Sequence, residues 1–173
     1  IAATLLTPEK IVISNIPDIN DVNKLIEIIS DLGAEVEKTD RDTYSFKAAD
    51  IDLDYLKSEE FKIKGASLRG SIMILGPLLA RFGKGYIPNP GGDKIGRRRL
   101  DTHFTGLERL GANFKYDDSS FLYKVDASSL KGCSMLLDEA SVTGTANIVM
   151  TASLAKGTTT IFNAACEPYL YQL

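Results

Sequence analysis

An α/β domain assembled from repeated units is the fold class this sequence predicts, and three observations predict it. A strand-like segment, an amphipathic helix closed by glycine, and a hairpin follow one another between Lys10 and Lys47. The helix end Leu32-Gly33-Ala34-Glu35-Val36 returns about 78 residues on as Leu110-Gly111-Ala112-Asn113-Phe114. The opening strand, Lys10-Ile11-Val12-Ile13-Ser14-Asn15, is echoed by Thr158-Thr159-Thr160-Ile161-Phe162-Asn163. A repeat longer than the usual solenoid period points to packed α/β units sharing one core. Residues 1–173 then form a single partial domain, with two nearly complete units and the start of a third.

The elements follow from local pattern. Lys10 to Ser14 alternates as a short strand, and Asp18-Ile19-Asn20-Asp21 supplies helix-start residues. Val22, Leu25, Ile26, Ile29 and Leu32 form an apolar stripe that stops at Gly33. Ala34 to Glu37 and Thr43 to Lys47 read as paired strands around the polar turn Thr39-Asp40-Arg41-Asp42. A helix is expected from Ala66 to Ala80, apolar all round and hence buried, with Pro77 bending or interrupting it. In the second unit a stripe of Phe104, Leu107 and Leu110 precedes a hairpin-like region from Phe114 to Val125. A helix is expected from about Val142 to Leu154.

Composition sets outer limits. With 44% hydrophobic and 25% charged residues, the 173-residue chain has the balance of an ordinary globular domain. No apolar run approaches the ~20 residues that span a bilayer, and Ile1-Ala2-Ala3-Thr4-Leu5-Leu6 lacks the basic flank of a secretory signal. The cytoplasm is the expected compartment, and the two cysteines, Cys133 and Cys166, are expected reduced. One histidine, His103, excludes a His/Cys metal cluster, and no cofactor is called for. A net charge of -3, with the densest run of cations, Lys94, Arg97, Arg98 and Arg99, in one loop, argues against a general nucleic-acid binder.

That loop is Pro90-Gly91-Gly92-Asp93-Lys94-Ile95-Gly96-Arg97-Arg98-Arg99-Leu100-Asp101, which sets a carboxylate among four cations and runs into a helix-like segment. Glycines let backbone approach a ligand closely, and arginine forks bind phosphate or carboxylate in a bidentate way. The chemistry is that of an acid beside an anionic substrate; a solvated basic turn, with Asp93 as an ordinary turn residue, is the plainer reading. A second arginine-bearing segment, Leu68-Arg69-Gly70-Ser71, lies upstream.

Five words recur in a known order: Leu68-Arg69-Gly70-Ser71, Gly76 to Gly83, the Pro90-to-His103 loop, Ser141-Val142-Thr143-Gly144-Thr145-Ala146-Asn147-Ile148, and Asn163-Ala164-Ala165-Cys166-Glu167-Pro168. Together they resemble the UDP-N-acetylglucosamine enolpyruvyl transferases of bacterial peptidoglycan synthesis. The resemblance implies an inverted α/β barrel domain of β-α-β-α-β-β units, and a second domain that carries a catalytic aspartate and further arginines. It implies transfer of the enolpyruvyl group of phosphoenolpyruvate to the 3-hydroxyl of UDP-N-acetylglucosamine, with phosphate release. Residue 1 falls where a helix should already be running, and Leu173 falls inside the third unit's first helix. A fragment, inactive alone, is therefore expected.

Site residues follow from the resemblance one at a time. Asp93 stands where the family has its loop acid, often a cysteine; because fosfomycin alkylates that thiol, resistance is expected. Flanking arginines would depress a carboxyl whose ordinary pKa is about 3.9, whereas closure over an anionic substrate raises it. Arg98 matches a contact to phosphoenolpyruvate, and Arg69 lines the same region. Arg98, Arg99, Leu100, Asp101 and Thr102 match the segment that holds the uridine nucleotide, although Arg99 replaces what is often proline. Ser141, Val142 and Thr143 match the segment near the diphosphate; without the resemblance Ser141 is simply a good N-cap. Glu139 stands where some members have lysine, and that contact is not carried over. His103 is expected to be structural or to support the site from behind rather than to transfer a proton, and Cys133 and Cys166 to pack. The shikimate-pathway enolpyruvyl transferases are the competing enzyme reading, and a non-catalytic nucleotide-binding module is the competing class.

Overall fold

A computed structural model describes residues 1–88 and 100–173. Its first unit opens with a 3₁₀ turn, Ala2–Leu6, then β1 (Lys10–Ile13), α1 (Asn20–Asp31), β2 (Glu35–Asp40) and β3 (Thr43–Lys47). These strands form an antiparallel sheet in the order β1-β3-β2, with Phe46 of the central strand opposite both Ile11 and Val36. Its second unit repeats the plan with β4 (Lys84–Pro88), α4 (Asp101–Arg109), β5 (Asn113–Asp117) and β6 (Leu122–Asp126). Their order is β4-β6-β5, and Val125 stands opposite Gly85 and Phe114.

The repeat reaches the backbone angles. Gly33 after α1 and Gly111 after α4 sit at φ of +100° and +107°, where a side chain is strained. A Cβ at Gly33 would also lie 2.4 Å from the Asp50 carbonyl oxygen. Asn15 after β1 and Asn163 after β8 (Thr160–Phe162) share a left-handed conformation, at φ of 58° and 57°, so the echo between the two strands is structural. β8 pairs in parallel with β7 (Ser134–Leu136), and α6 (Pro168–Gln172) follows it.

The predicted helix from Ala66 to Ala80 is instead three elements. α2 (Glu59–Ser67) ends at Leu68, which is extended; a 3₁₀ turn covers Arg69–Ile74; and α3 runs Leu75–Phe82. At the break the Leu68 amide returns to Gly65 O, and two hydroxyls also serve the terminal carbonyls of α2. Ser67 donates to Lys64 O and Ser71 to Gly65 O, each at 2.8 Å. Pro77 neither bends nor interrupts a helix: it lies in the first turn of α3, where an N–H has no intrahelical acceptor to lose. The expected burial holds, since Ile72, Ile74, Leu75, Leu78 and Leu79 are all buried.

α3 packs on α5 (Val142–Ala152) at the centre of the molecule, and α4 lies against the other side of α5. Gly144 to Ile148 are buried at five consecutive positions, so this stretch of α5 has no amphipathic stripe and is enclosed by protein, while Thr143 and Val149 are exposed. Both cysteines are free; Cys133 packs on the core, whereas Cys166 is exposed. The packing role expected of Cys166 falls to Ala165, whose amide donates to Thr145 Oγ1. No helix among the described residues is long and apolar enough to cross a membrane.

Candidate functional site

The sequence-predicted residues that lie within the described chain gather where α4 and α5 begin. Gly144 makes this approach possible: a Cβ there would stand 2.9 Å from Thr102 Cγ2 and press on Ser141. Ser141 caps α5, its hydroxyl accepting the Gly144 amide at 3.2 Å. Two helix N-termini thus face one region, each with first-turn amides that lack intrahelical acceptors, an arrangement that suits an anion.

Beneath this surface runs a buried polar chain. Asn147, fully buried on α5, accepts the Gly76 amide on Oδ1 at 2.8 Å and donates Nδ2 to Ile72 O at 3.1 Å. The same Nδ2 faces His103 Nδ1 at 3.2 Å, and His103 Nε2 faces Thr143 Oγ1 at 3.2 Å. His103 is 3% exposed, and its pKa falls from the ordinary histidine value to about 4. Burial is the main cause, with the nearby Arg69 guanidinium adding to it. The imidazole is therefore neutral at physiological pH.

Arg69 begins the 3₁₀ turn and is half-buried close to His103. Leu100 is buried at the head of α4, and Asp101 is exposed in the helix's first turn. Thr102 is 3% exposed and donates its hydroxyl to Asp138 Oδ1 at 2.9 Å, with Glu139 Oε1 at 3.3 Å. Its side chain is engaged inward, leaving its backbone amide as the group turned to the helix end. Val142 is half-buried and Thr143 exposed. Asp93, Arg98 and Arg99 lie outside the described residues.

The whole of residues 1–173 matches the family model described as EPSP synthase (3-phosphoshikimate 1-carboxyvinyltransferase). The chain belongs to this family. Among curated relatives, a UDP-N-acetylglucosamine 1-carboxyvinyltransferase of Bacteroides fragilis is 64% identical over 173 residues, covering 100% of this chain and 40% of that protein. Proteins of the same name from Porphyromonas gingivalis and Borreliella burgdorferi are 57% and 46% identical over the full chain, which covers 40% and 39% of them. The chain thus spans about 40% of the length of these relatives. The solved enolpyruvyl transferase NikO of Streptomyces tendae superposes with a TM-score of 0.75 at 20% identity, over 99% of this chain and 39% of that one. An EPSP synthase of Acinetobacter baumannii gives 0.70 at 13% identity, over 99% and 40%. These likenesses establish the enolpyruvyl transferase fold, of class α/β.

Within that family fold, sequence reading passed over Asn147 and Asp138 as site-building residues. The signal for Asn147 was present: one amide in the otherwise apolar run Ala146-Asn147-Ile148-Val149-Met150. Asp138 carried no such signal, because its role depends on α4 being folded against the segment before α5.

Proposed function

We propose that the full-length polypeptide containing this chain transfers the enolpyruvyl group of phosphoenolpyruvate to the 3-hydroxyl of UDP-N-acetylglucosamine in the cytoplasm, a step of peptidoglycan synthesis. The observation that carries this reading is the 64% identity, along the entire chain, to a protein named for that sugar nucleotide. Two further features support it: the paired helix N-termini suit a diphosphate, and the loop words match the sugar-nucleotide branch. The 3-hydroxyl gives up its proton as its oxygen adds to C2 of phosphoenolpyruvate and C3 takes a proton; loss of phosphate from C2 and of a proton from C3 then leaves the enol ether of the product. Asp93 is the acid that delivers the C3 proton. Arg98 and Arg69 hold phosphoenolpyruvate, and Arg98, Arg99, Leu100, Asp101 and Thr102 hold the uridine end. Ser141, Val142 and Thr143 lie along the diphosphate. The rest of the polypeptide, a second domain, closes the site.

The test is phosphate release by the full-length protein. Release that requires both phosphoenolpyruvate and UDP-N-acetylglucosamine, and that is lost in Asp93→Asn, is the expected result. Release with shikimate 3-phosphate but not with the sugar nucleotide moves the assignment to the other enolpyruvyl branch. Binding of the sugar nucleotide without turnover makes the protein a binding module.

A further inference from the structure

The buried chain from Gly76 to Thr143 has only one arrangement of protons. The Gly76 amide is a donor, so the Asn147 atom facing it is the oxygen. Asn147 Nδ2 consequently carries the two hydrogens, one directed at the Ile72 carbonyl and the other at His103 Nδ1. Nδ1 must accept, which leaves a neutral ring protonated on Nε2 alone. Nε2–H then donates to Thr143 Oγ1. Thr143 Oγ1 has no other partner among the described residues, and a hydroxyl that accepts from the imidazole has its own proton available to give away. Thr143 is exposed in the first turn of α5 while the rest of the chain is buried, so this proton is offered outward at the helix N-terminus.

We infer that His103 is a positioning residue, which, held in the Nε2–H tautomer by Asn147, fixes the Thr143 hydroxyl as a hydrogen-bond donor to the diphosphate of the bound nucleotide. This rests on the functional reading above and adds to it a residue that need not touch substrate. A backbone amide of α3 thereby sets the polarity of a hydroxyl on α5. Were the ring protonated on Nδ1 instead, two donors would confront each other at Asn147, and the Thr143 proton would turn inward to Nε2.

Calorimetric titration of the full-length enzyme with UDP-N-acetylglucosamine tests this. Thr143→Val is expected to weaken binding about tenfold, the scale of one hydrogen bond to a charged group. His103→Leu should weaken it similarly, and the double variant little further, because both remove one donor. His103→Gln, whose amide can still donate to Thr143, should stay within about threefold of the parent. Nitrogen spectra of the imidazole, assigned by loss in His103→Gln, give a readout independent of ligand: protonated Nε2 and bare Nδ1 at neutral pH. Additive losses in the double variant, unchanged affinity in His103→Leu, or an Nδ1–H ring overturns the inference while leaving sugar-nucleotide binding intact. Failure of the parent enzyme to bind UDP-N-acetylglucosamine overturns both this inference and the reading beneath it.

Discussion

Asn147 Oδ1 accepts the Gly76 amide across 2.8 Å, joining the middle of α5 to the first turn of α3 in the fully buried centre of the molecule. Replacing Asn147 by leucine would leave that amide, the Ile72 carbonyl and His103 Nδ1 without their partner. An orphaned buried polar group costs about 1–3 kcal/mol, so Asn147→Leu is expected to destabilise the fold by about 2–4 kcal/mol. Urea unfolding checks this. A loss below about 0.5 kcal/mol, the size of an ordinary surface change, would show that the network carries no stability.

His103 gives the fold a specific acid sensitivity. Its pKa is about 4 folded and 6.5 at the ordinary value, so between these limits the unfolded chain binds a proton that the native one does not. Stability from this group is complete above pH 6.5 and is lost as pH falls toward 4. Its contribution to the slope approaches about 1.4 kcal/mol per pH unit within that window. Unfolding free energies measured from pH 7 to 4.5 should fall more steeply for the parent than for His103→Gln, which has no imidazole to charge. Parallel pH profiles would contradict it.

How much of this could be read in the sequence differs from element to element. α1 and the two hairpins were legible because each buries one repeating face or adjoins a glycine that must turn left, as Gly33 and Gly111 do, whereas α5 was legible as a largely apolar run opened by the N-cap Ser141. Helix α2 went unread: Ser58 caps it by accepting the Phe61 amide, but its apolar residues form no stripe that periodicity detects. Strand β4 also went unread, since Gly85 and Pro88 look like breakers out of context. Both residues are buried, and Gly85 stands opposite Val125 in the sheet. The site was legible only as words. Thr102, Ser141 and Thr143 were singled out by resemblance, whereas the inward turn of Thr102 to Asp138 depends on contacts 36 residues apart that no local pattern encodes.

The crossing of α4 on α5 has so little room that it makes a sharp packing prediction. A Cβ at Gly106 would fall 2.2 Å from Ile148 Cδ1 and 2.5 Å from Cγ1. Gly106→Ala should therefore destabilise by about 1–3 kcal/mol despite its better helix propensity, as overpacking of a filled core does. Because the clash is with the end of one side chain, Ile148→Val in the same protein should recover part of the loss. A double-mutant cycle in thermal unfolding checks this, and full additivity of the two changes would place the strain elsewhere.

If Asp93 is the loop acid, as proposed, its carboxylate bears on inhibition as well as catalysis. Fosfomycin acts on a thiolate, which opens the epoxide by forming a carbon–sulfur bond as a carbon–oxygen bond breaks. The carboxylate of Asp93 is a far weaker nucleophile than a thiolate. The full-length enzyme is therefore expected to keep its activity after incubation with the drug and phosphoenolpyruvate or UDP-N-acetylglucosamine. Asp93→Cys should become sensitive, with intact mass rising by one drug molecule on residue 93. A stable adduct on the parent enzyme at Asp93 would remove the basis of this prediction, whereas insensitivity of an active Asp93→Cys variant would place the loop acid at another residue.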